Sequence, residues 1–182
     1  MVFEKLIHLL NTHKKEIATA YYEQVKNSEY MKTYHSLEPE KVIAREEATY
    51  VHLAQWLQNG SNNDDAEKFF EKVGSVRYKE GFPLSEINYA LFISKKAFYE
   101  FSRNYPELLN DLTPQEIIDS FAILGNYFAL GGFYMIRGYL NTLFEKLDIN
   151  DSLTREEIHQ ILVRGAFDEE DIDMSDFIWR HV

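Results

Sequence analysis

Apolar residues recur along most of this chain at intervals of three and four, the spacing that lays one stripe along an α-helix, and nowhere do they alternate over the length of a strand. A short helix is predicted over residues 2–10, followed by a second that starts after Thr12 and carries Ile17, Tyr21 and Val25 on one face. A loop is expected from Lys32 to Glu38. From Pro39 to Asn59 the residues Ile43, Tyr50, Leu53 and Leu57 keep a heptad-like spacing, and Gly60 stands where a helix closes in the left-handed conformation. The polar run Ser61-Asn62-Asn63-Asp64-Asp65 supplies a loop and a cap. A fourth helix over about residues 65–80 buries Phe69, Phe70, Val73 and Val76 and ends at Gly81. Pro83 and Ser85 open a fifth, striped by Leu84, Ile87, Leu91, Phe98 and Phe101, with Ser94 as its soft spot.

All four prolines (Pro39, Pro83, Pro106, Pro114) fall at segment junctions, where a missing N–H costs a helix little. Thr113-Pro114-Gln115-Glu116 is a capping box with proline at the first helical position, and it opens the longest helix, Pro114 to about Leu147. Along that helix Ala122, Gly125, Ala129 and Gly132 form a face of small side chains. Such a face predicts close packing against another backbone of the same chain, with a dimer seam or ligand groove as the alternative use. A second box, Thr154-Arg155-Glu156-Glu157, starts a short helix ending at Gly165; six acidic residues between Asp168 and Asp176 then precede Phe177, Ile178 and Trp179. The expected organisation is a helical sensory bundle over residues 1–147 and a short helix with an acidic and aromatic tail over 148–182. The fold class is all-α, an antiparallel helical bundle with one long central helix, for which a globin-like arrangement is one form.

Composition narrows the function. At 182 residues, with 45% hydrophobic and 27% charged, the chain suits one folded domain. A formal net charge of −11 without a compensating basic run argues against nucleic acid. Cysteine is absent, which removes disulfides, thiolate metal sites and cysteine nucleophiles together and fits a reducing compartment. Glu4 interrupts what would have to be the basic start and apolar core of an export signal. The most apolar stretch, Phe121 to Ile136, is shorter than the roughly 20 residues of a membrane span and is followed by Arg137. It reads as a buried central helix, and the chain as cytoplasmic.

The chemistry available is sparse. Glu156 and His159 have the spacing of a carboxylate-bridged di-iron helix, but the second pair and the further glutamates such a centre needs do not occur. His52, in an aromatic setting, is the histidine that haem would use; a lone histidine beside an apolar face is more often structural. His8, His13, His35 and His181 have no spaced partner. Hydrolase elbows, metalloprotease motifs and phosphate-cradling glycine loops are absent, so neither enzyme activity nor a cofactor or metal is expected. Two charges fall on apolar faces, Glu46 in the stripe of the third helix and Arg77 four residues after Val73. Burying a charge is costly unless it is paired, which predicts a Glu46–Arg77 contact or an Arg77 bond to loop carbonyls. Arg137 raises the same question within Gly132-Phe133-Tyr134-Met135-Ile136-Arg137-Gly138, and Arg77, Glu46, Arg137 and His52 are the candidates for a structural or a ligand contact.

The segment Gly74-x-x-Arg77-x-x-x-Gly81-Phe82-Pro83-Leu84-x-Glu86, followed by Ala90-Leu91, resembles the N-terminal sensory domains of RsbR-type stressosome co-antagonists, the RsbRD group. The likeness extends loosely from Leu9 to about Leu143. It implies signal input and a stress response rather than catalysis, although nothing after Leu147 is long enough for the phosphoacceptor domain that follows in that family. The expectation is a non-enzymatic regulatory module that binds a protein partner, a homodimer among the options, and a small apolar ligand. Its rivals are a haem or gas sensor and an enzyme with a carboxylate site assembled by folding. Phe177, Ile178 and Trp179 are the expected partner-docking residues.

Overall fold

The computed structural model describes residues 2–105, 110 and 112–149. Among them the chain forms six helices and no strand: α1 (Val2–Lys26), α2 (Lys32–His35), α3 (Pro39–Gln58), α4 (Asn63–Lys79), α5 (Leu84–Arg103) and α6 (Pro114–Ile149). The all-α bundle is as expected. The second capping box, Glu156, His159, Phe177, Ile178 and Trp179 lie outside the described residues.

The helix ends follow local chemistry. Asn62 caps α4, its side chain accepting from the Asp64 N–H at 2.9 Å. At the start of α6 the Thr113 hydroxyl accepts from the Glu116 N–H at 3.2 Å while the Glu116 carboxylate accepts from the Thr113 N–H at 2.9 Å, the reciprocal pair that the sequence predicts. Gly60 and Gly81 both take positive φ, +73° and +79°, and turn the chain out of α3 and α4.

Two boundaries differ from the sequence reading. No break separates residues 10 and 12: Leu6, Leu10, Ile17, Tyr21 and Val25 form one buried stripe, so Thr12 is an exposed residue inside a continuous α1 and caps nothing. The loop expected from Lys32 contains the single turn α2. It is held because the Glu86 carboxylate accepts from both the backbone N–H and the hydroxyl of Thr33, at 3.0 and 3.0 Å, and because Met31 and Tyr34 are buried on either side.

The core is continuous from Leu6 to Tyr139, with Trp56, Tyr50, Tyr127, Tyr139, Phe70 and Phe98 as its largest fully buried side chains. Chain neighbours pack antiparallel: His52 stacks on Phe69 while Arg45 meets Glu80 across α3 and α4, and Tyr99 meets Phe121 while Leu91 borders Gly132 across α5 and α6. The most extensive helix pair, α4 with α6, runs parallel instead, since Gly131 lies against Phe70, Gly138 against Glu71, and Thr142 bonds Ser75.

That pair also relocates the small-residue contact. A Cβ on Gly74 would stand 2.9 Å from the Tyr139 backbone nitrogen, and one on Gly138 would stand 2.6 Å from the Glu71 Cα, so the two backbones touch at two glycines. The predicted face does not serve this purpose. Ala122 and Ala129 are exposed, a Cβ on Gly125 would meet nothing within 4 Å among the described residues, and one on Gly132 would make only ordinary contact with the Asn88 and Leu91 side chains of α5, at 3.7 and 3.8 Å. Nor is the apolar stretch of α6 wholly buried, for Phe121 and Phe133 are exposed, as is Val76 of α4.

Candidate functional site

Glu46 and Arg77 are brought to the same small cavity, of about 40 Å³, bordered also by Tyr21, Tyr34, Arg45 and Ser94. They do not share a hydrogen bond among those observed. The Glu46 carboxylate accepts from the Ser94 hydroxyl and lies within reach of the Tyr50 hydroxyl, which itself donates to the Ser94 carbonyl at 3.0 Å. Burial pushes the Glu46 carboxyl up to about 7, against the opposing pull of Ser94, Tyr50 and the Arg77 charge.

Arg77 reaches outward. Its Nη1 donates to Glu80 at 3.0 Å, its charge lies near the Tyr34 hydroxyl, and Arg45 donates through Nη2 to the other oxygen of Glu80. The prediction of a loop-carbonyl bond for Arg77 is therefore replaced by a carboxylate shared between two arginines. Both guanidiniums lie over the ring of Phe82, with Cζ 5.8 Å (Arg45) and 5.7 Å (Arg77) from its centroid. The positive φ of Gly81 turns Phe82 inward to this place, and Tyr139 of α6 holds the turn by donating to the Phe82 carbonyl at 2.8 Å. Two donors of the cluster, Arg45 Nη1 and Arg77 Nε, are buried and have no hydrogen-bond partner among the described residues. Burial also raises the Tyr21 and Tyr34 hydroxyls, which stay neutral donors at physiological pH.

Arg45 was not singled out by periodicity because it precedes Glu46 and lies off the apolar stripe of α3. Its burial arises from tertiary contact, the return of the α4 end bearing Glu80 and Phe82.

A second cavity, of about 270 Å³, opens where the first turns of α1, the end of α5 and the start of α6 diverge. Leu6, Phe98, Tyr99, Ile117, Phe121 and Leu124 border it. Ser102 and Ser120 border it too, yet their hydroxyls are engaged by helix carbonyls, of Phe98 at 2.8 Å and of Glu116 at 2.6 Å. Glu100 and Arg103 are the charged residues on its border, and the rest of the wall presents mostly hydrocarbon. No sequence signal marked this cavity, which depends on the angle between three helix ends.

Arg137 is placed differently from Arg77. It bridges α6 to α4 by donating to Glu67 and Glu71 at the bundle surface and lies 4.9 Å from the Tyr134 ring centroid. His52 is stacked on Phe69 at 3.9 Å, and its Nδ1 is 2.9 Å from the Tyr127 hydroxyl. Burial lowers its pKa, favouring the neutral ring. A ring stacked on one face and hydrogen-bonded in this way has the setting of a structural histidine. Among the described residues no group of three or more histidines and carboxylates could hold a metal, and no helix is long and apolar enough to cross a membrane.

No family model matches the chain, and no curated protein or solved structure matches it either.

Proposed function

We propose that this chain is a non-enzymatic regulatory domain of the cytoplasm whose input is a small apolar molecule bound between α1, α5 and α6 and whose output is contact with a protein. The cavity of about 270 Å³ carries this reading. Its volume exceeds the roughly 150 Å³ that accommodates benzene and approaches the lower bound of small-molecule sites. A ligand the size of a substituted benzene or a medium alkyl chain would bridge the end of α5 to the first turns of α6.

Occupancy there would set the position of α6, the helix that extends from the cavity along the length of α4. Its outer side, with Ile118, Phe121 and Phe133 exposed and Phe92 of α5 beside it, offers the kind of apolar patch that proteins use for partners or for a second copy. The resemblance to stressosome sensory domains agrees with such an input role. The polar cavity offers less to an enzyme, since one carboxylate, Glu46, borders it amid arginines and tyrosines.

Titration with p-xylene and n-octanol, followed by ligand-observed NMR, tests the proposal. Saturable binding to the wild-type protein is expected, with loss of binding in Ser120→Leu at unchanged helix content. Failure of both probes to saturate the folded wild type, or equal binding by the filled variant, would overturn it.

A further inference from the structure

The polar cavity is independent of the apolar one and carries its own inference. Arg45 and Arg77 bring two permanent positive charges to the core, and they share one outer carboxylate, that of Glu80. Glu46, the second acid beside them, is almost fully buried and already accepts from the Ser94 hydroxyl. The cluster therefore has cationic charge to spare whenever Glu46 is neutral. It also has donors to spare, because Arg45 Nη1 and Arg77 Nε are buried and have no hydrogen-bond partner among the described residues, a state that costs free energy until an acceptor is supplied.

The space sets the size of that acceptor. A volume of about 40 Å³ corresponds to about three water-sized groups, at the roughly 10 to 15 Å³ each requires. Planar oxyanions of three or four non-hydrogen atoms match both this volume and the flat fork of a guanidinium. Tetrahedral dianions are too large and too highly charged.

We propose that the cavity bordered by Arg45, Arg77, Glu46, Tyr21, Tyr34 and Ser94 is a binding site for a small monovalent oxyanion of the nitrate or formate class.

Such an anion competes with the negative charge of Glu46. The groups facing Glu46 are Tyr21 of α1, Tyr34 of α2, Arg45 and Tyr50 of α3, Arg77 of α4, Ser94 of α5 and Tyr127 of α6. The tyrosines are raised by burial and the arginines remain charged, so within this set Glu46 alone changes charge near neutrality. Anion binding thus favours protonated Glu46 and takes up a proton as pH rises past the Glu46 midpoint. With that midpoint at about 7, affinity falls by about tenfold between about pH 6 and about pH 8.

Calorimetric titration of the full chain with sodium nitrate and sodium formate, at ionic strength held constant with gluconate, provides the test. One site per chain is expected, about tenfold weaker at about pH 8 than at about pH 6. Glu46→Gln, which is neutral at both values, should bind equally well at both. Arg45→Gln should lose at least about tenfold in affinity, the loss of one charge-assisted donor pair. Absence of saturable heat in both the wild type and Glu46→Gln at about pH 6, or an unchanged pH dependence in Glu46→Gln, would overturn the proposal. So would binding undiminished in Arg45→Gln. Circular dichroism establishes that each variant is folded, and should Arg45→Gln not fold, the comparison of wild type with Glu46→Gln decides.

Discussion

The Ser94 hydroxyl, the polar interruption in the apolar stripe of α5, donates to the carboxylate of Glu46, the charge in the apolar stripe of α3. Two apparent errors in two helical patterns are thus one interaction. It joins α3 to α5 across the core, where an unpartnered carboxylate would be far more costly than a bonded one.

The burial of Glu46 makes stability depend on pH in a direction opposite to that of an ordinary ion-paired acid. Its pKa rises from 4.5 to about 7 on folding, so between those values the folded chain holds a proton that the unfolded chain has released. Raising the pH through that window weakens folding, by about 3 kcal/mol over the 2.5 units, and the effect levels off above the folded pKa. Glu46→Gln lacks this dependence. Denaturant melts of both proteins at about pH 5 and about pH 8 should show the glutamine variant gaining about 2 to 3 kcal/mol relative to wild type at the higher pH. Parallel pH profiles would show that Glu46 does not carry the effect.

Arg77 is the more enclosed of the two arginines on Glu80, with 12% of its side chain exposed against 18% for Arg45. Arg77→Leu removes its bond to Glu80 and its cation–π contact with Phe82, and is expected to cost about 1 to 3 kcal/mol in denaturant melts. Arg77→Lys should recover only part of this, because an ammonium cannot reproduce the planar stacking and forked donors. Full recovery by lysine would reduce the role of Arg77 to charge alone.

How far the sequence reveals this arrangement depends on the range of the interaction that fixes each part. Helix ends were legible because their causes are local: the Thr113 and Glu116 box, the Asn62 cap and the positive-φ glycines at 60 and 81 all form. Thr12 misled because a cap residue in a continuous apolar stripe is overruled by the burial of Leu10 and Ile17 on either side. Glu46 and Arg77 were visible as charges on apolar faces. Their partners were not, because Glu80, Phe82 and Arg45 meet only after α4 folds back on α3, and periodicity along one helix carries no such information.

Arg137 looks similar to Arg77 in sequence, yet its environment predicts a different response. Its side chain is 37% exposed and its partners Glu67 and Glu71 are 38% and 31% exposed, so solvent and salt screen the cluster. Arg137→Gln should lower the melting temperature less than Arg77→Leu does. In about 1 M sodium chloride, where the Debye length is about 3 Å, the difference from wild type should nearly vanish. A loss as large as that of Arg77→Leu and indifferent to salt would place Arg137 among the core contacts.

The parallel pairing of α4 with α6 rests on backbone contact, and the glycines make it testable at single positions. At Gly74 a methyl group would press on the backbone of Met135 and Tyr139; at Gly138 it would press on the backbone of Glu71. Neither obstacle is the flexible end of a side chain, so relief requires the two helices to separate, and overpacking of that kind costs about 1 to 3 kcal/mol or more. Helix propensity acts the other way, since alanine is about 1 kcal/mol better than glycine inside a helix. At Gly125 the methyl group would meet nothing within 4 Å, and propensity acts unopposed. Gly74→Ala and Gly138→Ala are therefore expected to lower stability by about 1 to 3 kcal/mol or more, while Gly125→Ala raises it by up to about 1 kcal/mol. Thermal and denaturant melts of the three variants check the signs. Stabilisation by alanine at 74 or 138 would mean that α4 and α6 do not touch there, and destabilisation at 125 would mean that the face bearing Ala122, Gly125 and Ala129 is packed against something beyond the described residues.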